Sequence, residues 1–253
     1  MDFRLDRLEL KFLVSSAQRD RLTACFRQRL DGDPNLAGRS NYPVSTLYFD
    51  SEDLRCYLER VLESNNRRKF RIRLYGSAND SIPPACFLEI KQNQQGRIGK
   101  RRIAVSREWI RQFEENLDLH ELFEIEPALT SRADLQILRE ARQMVETYSM
   151  RPVCLVRYDR LAFQGREAEA SLRITVDSNL RYQLTPSRFW FDEPASEVPL
   201  LDGEHHLLEV KTTGTLPCWL TRLLNEESCQ VRSFSKYCQT IDRRPKLEEL
   251  AHV

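Results

Sequence analysis

No stretch of the sequence holds the roughly 18 consecutive apolar residues that a membrane-spanning helix needs. The opening MDFRLDRLELK alternates charge with hydrophobicity where a signal peptide requires a continuous apolar region, so a cytoplasmic protein with no membrane segment of its own is expected. Net charge is lacking too: 39 lysines and arginines against 38 aspartates and glutamates leave +1. That balance provides no whole-molecule field for capturing nucleic acid or an anionic membrane, and any preference for anions has to be local. CxxC pairs are missing. The seven cysteines (Cys25, Cys56, Cys86, Cys154, Cys218, Cys229 and Cys238) are odd in number and scattered, which argues against a disulfide framework or zinc site and for reduced packing residues. Internal repeats, low-complexity tracts and a clear linker are also wanting. The 253 residues, 41% of them hydrophobic, therefore read as one domain over 1–253.

What is present is periodic. Helical spacing occupies 15–30, where Leu22, Cys25, Phe26 and Leu30 recur behind a Ser15 or Ser16 cap. Further helices are predicted over 107–116, 131–147, 217–227 and 236–243, the 131–147 helix opening on Ser131 with Asp134 in the capping-box position. Strand-like runs lie at 4–14, 43–49, 67–75, 85–92, 98–105, 153–163, 171–177 and 206–212, about eight in all. The segment 186–204, with three prolines and several acids, reads as an excursion or lid between strands.

Strand side chains alternate between faces, so each run can be split by parity. Arg7, Glu9 and Lys11 oppose Leu8, Leu10 and Phe12, while Lys69, Arg71 and Arg73 oppose Phe70, Ile72 and Leu74. Glu89 and Lys91 oppose Leu88 and Ile90, and Lys100 and Arg102 oppose Ile103 and Val105, with Arg101 blurring that strand. Arg173, Thr175 and Asp177 oppose Leu172, Ile174 and Val176, and Glu209 and Lys211 oppose Leu208 and Val210. Any one such strand fits an open sheet with one face in water. Together the polar faces are mostly charged, with few of the threonines, serines and glutamines of an ordinary solvated sheet. Like charges opposite one another cost energy, so this density calls for a bound anion.

The expected fold is α+β, a closed eight-stranded antiparallel β-barrel with helices packed outside. In it the charged faces turn inward, and Lys11, Lys69, Arg71, Arg73, Lys91, Lys100, Arg102, Arg173 and Lys211 converge on one lumen. Arginine's planar fork matches phosphate oxygens and lysine's compact charge bridges neighbouring phosphates, which suits triphosphate or polyphosphate. The minority carboxylates Glu9, Glu89, Asp177 and Glu209 are hard oxygen donors for Mg²⁺ or Mn²⁺, or else salt-bridge partners inside the lumen.

In chain order, RLELKF (7–12), STLYFD (45–50), RKFRIRLY (68–75), FLEIK (87–91), KRRIAV (100–105), RPVCLVRYDRLAF (151–163), LRITVD (172–177), LLEVK (207–211) and SKY (235–237) cover nearly the whole chain. These motifs resemble the VTC (vacuolar transporter chaperone) polyphosphate polymerase domain of the CYTH-like triphosphate tunnel metalloenzymes. The resemblance implies a tunnel that binds ATP with a divalent cation and transfers its terminal phosphoryl group to a polyphosphate chain. It further implies that Lys11, Arg71, Arg73, Lys91, Lys100, Arg102, Arg160, Arg173 and Lys236 line the phosphate path and that Glu209 holds the metal. Arg160 enters on resemblance alone, because the residues around it do not sort by parity. The wider superfamily opens on ExExK, whereas Arg7 makes this RxExK; that weakens a simple triphosphatase reading and leaves the number of metals open.

GRIGK (96–100) lacks the spacing of a phosphate loop and reads as a hairpin turn, and no Walker motif occurs. His205 and His206 precede a tunnel strand, from which they could reach a metal or carry a proton, but they read first as exposed residues at the strand entry. Three functions remain open: the polymerase, a hydrolase of inorganic or nucleoside triphosphate, and a non-catalytic polyphosphate-binding module. Oligomeric state and coupling to a membrane partner have no signature in the sequence.

Overall fold

The structure is a computed structural model that describes residues 7–36, 38–76, 85–95, 97–106, 109, 131–184 and 197–244. The helix expected over 107–116 lies outside the described residues except for Trp109, as does the 186–196 part of the excursion. The chain begins β1 (Arg7–Ser15), α1 (Ser16–Arg29), β2 (Asp31–Gly32), β3 (Tyr42–Asp50), α2 (Arg55–Val61), β4 (Asn66–Tyr75), β5 (Ala85–Gln94) and β6 (Arg97–Val105). It continues with α3 (Arg132–Tyr148), β7 (Arg151–Gln164), β8 (Arg173–Leu184), β9 (Val198–Pro199), β10 (His205–Thr213), α4 (Cys218–Glu226) and α5 (Lys236–Ile241). The eight expected strands are all present, β8 running further than expected.

Local chemistry sets most boundaries. Ser15 closes a capping box on α1: its hydroxyl accepts from the Gln18 backbone N–H, and the Gln18 side chain accepts from the Ser15 N–H at 2.9 Å. Ser131 accepts from the Asp134 N–H at 3.0 Å and starts α3. The short helix α2 was not expected. Its N-cap, Leu54, sits at φ 56° with no capping side chain; the Asp50 carboxylate instead accepts from Cys56 N at 2.8 Å and Tyr57 N at 3.1 Å.

Contacts divide the chain into two compact units: Met1–Pro43, Tyr158–Arg181 and Pro199–Phe234 form the first, and Val44–Arg157, Tyr182–Val198 and Ser235–Val253 the second. The strand path is β1-β10-β8-β7-β3-β4-β5-β6, every described register is antiparallel, and β7 and β8 contribute to both units. The described registers include none that joins the two ends of this path.

In the first unit one parity of each strand packs under helices: Phe12, Val14, Ile174, Val176, Leu208 and Val210 bury against Leu22, Phe26 and Leu30 at α1 and Leu220 and Leu224 on α4. Each fully buried side chain of this size contributes about 1.5–3 kcal/mol, which fixes the register and commits the opposite parity to the other face. The second unit repeats the arrangement, with Phe70, Ile72, Leu74, Leu88, Ile90 and Ile103 buried, along with Leu138, Ala141, Met144 and Val145 of α3. Arg101, which blurred the alternation, lies on the α3 side and donates to Glu140 Oε1 at 2.7 Å. All seven cysteines are free.

Candidate functional site

In the second unit the registers set the basic side chains in rows. Lys69 lies opposite Lys91, which lies opposite Lys100; Arg71 lies opposite Glu89, which lies opposite Arg102; Arg73 lies between Thr46 and Phe87. Residues in register share a face, so Lys69, Arg71, Arg73, Lys91, Lys100 and Arg102 stand together with the carboxylate of Glu89. Lys69 Nζ donates to Ser235 Oγ at 2.9 Å and lies 5.2 Å from the centre of the Tyr237 ring, which brings it to the segment carrying Lys236. Ser235 caps α5, and Lys236 is buried in its first turn. The Arg102 guanidinium rests over Phe87 at 4.4 Å.

Glu89 is fully buried. Arg71 donates to its Oε2 through Nε at 2.8 Å, with Nη2 at 2.7 Å, and Lys100 Nζ lies 2.5 Å from Oε1. Burial alone would raise its carboxyl, but the charges of Arg71, Arg73 and Lys100 outweigh burial and hold it at about 2, below its ordinary 4.5. A carboxylate depressed in the folded state stabilises fully above its unfolded value and loses that contribution as pH falls through its folded one. Acid titration followed by circular dichroism is therefore expected to show stability falling between pH 4.5 and 2, by on the order of 3 kcal/mol, and Glu89→Gln to flatten that limb.

The first unit carries a different arrangement. Glu9 lies opposite Lys211, and Lys11 opposite Glu209. Lys211 Nζ bonds Glu209 Oε2 at 2.9 Å, Lys11 Nζ lies 3.4 Å from Glu9 and 3.6 Å from Glu209, and Lys11 also donates to the Phe234 carbonyl at 2.9 Å. Arg160 joins this charged parity, because its Nε and Nη2 donate to the two oxygens of Asp177 at 2.7 and 2.8 Å. The pair is buried; burial opposes the Arg160 charge, and Asp177 overcomes that and raises the guanidinium's pKa. Arg173 Nε and Nη2 reach Asp33 Oδ2 at 3.1 and 2.6 Å. Arg71, Arg160 and Arg173 thus each spend the Nε/Nη2 edge on a carboxylate and keep the opposite edge for another acceptor.

Of the four carboxylates considered as metal ligands, Glu89 and Asp177 are held by guanidinium groups, and Glu9 and Glu209 by lysines. Among the described residues no three of His, Cys, Asp and Glu gather into a group able to hold a metal ion. Mg²⁺ and Mn²⁺ do not demand one, since such ions bind commonly through one or two carboxylates plus substrate phosphates. The Glu9–Glu209 doublet fits that mode.

Several participants escaped the sequence reading. Asp33 follows the two-residue β2, outside any alternation. Asp50 accepts from Tyr237 Oη as well as from α2, so STLYFD and SKY meet through their last residues. His206 corrects the expectation of exposure: it is 3% exposed, with Nδ1 2.8 Å from Ser178 Oγ and Nε2 3.1 Å from Arg19 Nη1. Arginine only donates, so Nε2 accepts from Arg19, and burial with the Arg19 charge lowers the ring's pKa. His205 is exposed, as expected, beside Asp202. Of GRIGK, read as a hairpin turn, Arg97–Lys100 are already the start of β6, with Gln94 paired to Arg97, and Gly96 lies outside the described residues.

The profile of the VTC domain family matches residues 6–243. The chain belongs to the VTC domain family. This VTC domain is 27% identical over 235 residues to vacuolar transporter chaperone complex subunit 4 of Trypanosoma cruzi, covering 79% of this chain and 28% of that protein. It is 26% identical to subunit 2 of Saccharomyces cerevisiae over 190 residues, 69% of this chain and 23% of the relative. Subunit 4 of Schizosaccharomyces pombe is also 26% identical, with 79% of this chain and 31% of the relative covered. The chain thus spans under a third of the length of these curated relatives. In fold, the VTC domain resembles the crystal structure of a putative adenylate cyclase from Bacillus halodurans, with a TM-score of 0.51 at 12% identity over 91% of this chain and 95% of that one. No helix among the described residues is long and apolar enough to cross a membrane.

Proposed function

We propose that this VTC domain is an ATP- and divalent-metal-dependent polyphosphate polymerase, transferring the γ-phosphoryl group of ATP to the end of a growing polyphosphate chain. The observation that carries the reading is the row Lys69, Lys91, Lys100, three ammonium-bearing residues directly opposite one another on adjacent strands. Lys100 also meets Glu89, and a chain of phosphates is a ligand whose repeated charges match an aligned row of ammonium groups.

In the proposed reaction a terminal phosphate oxygen of the polyphosphate attacks the γ-phosphorus of ATP. The bond to the β–γ bridging oxygen breaks, and ADP leaves with the electron pair. Little covalent work falls to the protein, which has to align the two phosphates and offset charge. In the second unit Arg71, Arg73 and Lys91 are assigned to the reacting phosphates and Lys69, Lys100, Arg102 and Lys236 to the bound chain; in the first, Lys11, Arg160 and Arg173 are assigned to the former and Lys211 to the latter. Glu209, with Glu9 beside it, would hold Mg²⁺ or Mn²⁺, which when bound supplies neutralisation of phosphate oxygens. Asp177 and Glu89, engaged by arginines, serve better as supports than as ligands. The same reading puts the reaction in the cytoplasm, where ATP is supplied. Because the relatives are subunits of a complex, further subunits, membrane-bound ones among them, belong to the proposal as partners.

The test is to incubate the purified protein with ATP and MnCl₂ and resolve the products on a polyacrylamide gel. Long phosphate chains are expected. Free phosphate alone would make the protein a triphosphatase, and no product at all a non-catalytic phosphate binder.

A further inference from the structure

We infer that Asp33 is a positioning residue for the phosphate-binding arginine Arg173, an inference that rests on the function proposed above. Asp33 lies just beyond β2, which pairs with the end of β7 through Asp31–Gln164 and Gly32–Phe163. Every hydrogen-bonding group of the residue is engaged. Its backbone N–H donates to the Ala162 carbonyl at 2.9 Å, and its own carbonyl accepts from Leu36 N at 2.9 Å. Oδ1 accepts from the backbone and side chain of Asn35 at 2.9 and 2.5 Å, which leaves Oδ2 turned to the guanidinium. Burial would raise this carboxyl, but the Asn35 bonds and the Arg173 charge together lower it, so it is ionised at neutral pH.

The consequence lies at Arg173. Its side chain is 33% exposed against 5% for the acid, so the pair is anchored at the carboxylate and open at the guanidinium. Of the five N–H donors, Nε and one hydrogen of Nη2 are spent on Asp33, and the remaining three can meet a phosphate. Arginine carries a large rotamer entropy, and a mount that fixes the fork before the ligand arrives removes part of the ordering cost of binding. Asp177 does the same for the more deeply buried Arg160, and Glu89 for Arg71. Asp33 differs in coming from a loop, where no strand alternation marks it.

The experiment is calorimetric titration of the whole chain with sodium tripolyphosphate, without metal or ATP, for wild type, Asp33→Asn, Arg173→Ala and the double variant. Asparagine keeps the size of the residue and an acceptor for Asn35, and the unfolding midpoint of each variant serves as the control for folding. Asp33→Asn is expected to weaken binding roughly tenfold, the scale of one charge-assisted contact. The double variant is expected to bind as Arg173→Ala does, because a mount has no effect once the group it holds is gone. Wild-type affinity in Asp33→Asn, or a further loss when Asp33→Asn is added to Arg173→Ala, would overturn the inference. Absence of binding by the wild type would overturn the functional reading and the inference with it.

Discussion

Arg160→Ala is expected to lower the free energy of unfolding by about 3–5 kcal/mol, because it removes the bidentate partner of a buried carboxylate. Asp177 is 0% exposed, and its two carboxylate oxygens accept from Arg160 at 2.7 and 2.8 Å. Losing the guanidinium takes the bidentate counter-charge away from a buried anion, and the folded state has to protonate it or admit solvent. A shift of the urea midpoint with an unchanged denaturant slope measures the loss. Arg160→Leu combined with Asp177→Leu is expected to recover much of it, since replacing both partners removes the stranded charge along with the pair. A midpoint that stays at the wild-type value in Arg160→Ala would show that the pair is not buried as described.

Glu209→Gln is expected to reduce ATP turnover by roughly 10²–10³-fold, the scale of several kcal/mol that a bound divalent cation contributes to a charged transition state. Tripolyphosphate affinity measured without metal is expected to hold or rise slightly, because the substitution removes a negative charge beside Lys11 and Lys211. The opposite signs of the two effects separate a metal-holding carboxylate from a structural one. Unchanged turnover would remove Glu209 from the reaction.

Strand positions and the charged parity were legible because each strand buries one face under helices, and that burial writes a period of two into the sequence, as Phe70, Ile72 and Leu74 against Lys69, Arg71 and Arg73 show. β7 hid its role for the same reason in reverse. Val153, Cys154, Leu155 and Val156 are all buried, so this stretch is covered on both faces, no alternation survives, and Arg160 could not be sorted. Helix α2 was invisible because its first N–H groups are satisfied by Ser51 and Asp50, upstream of the usual capping position. The Asp50–Tyr237 bond joins residues 187 apart, and Asp33 and Arg173 are 140 apart. Contacts of that reach come from tertiary packing, so local pattern contains no trace of them. Asp31-Gly-Asp-Pro-Asn marks a turn but not the arginine it holds.

The lysine row gives the most direct test, because it makes stability and binding respond in opposite directions. Lys91 stands between Lys69 and Lys100. Thermal unfolding of wild type and Lys91→Met, each with and without tripolyphosphate, reads both responses at once. Without ligand, Lys91→Met is expected to unfold at a higher temperature than wild type, since like-charge repulsion is relieved and the apolar stem is retained. With tripolyphosphate, wild type is expected to gain stability as the ligand binds the folded state, and Lys91→Met to gain much less. A lower midpoint for Lys91→Met without ligand, together with an undiminished gain on adding tripolyphosphate, would contradict the claim that this face is built to hold a chain of phosphates.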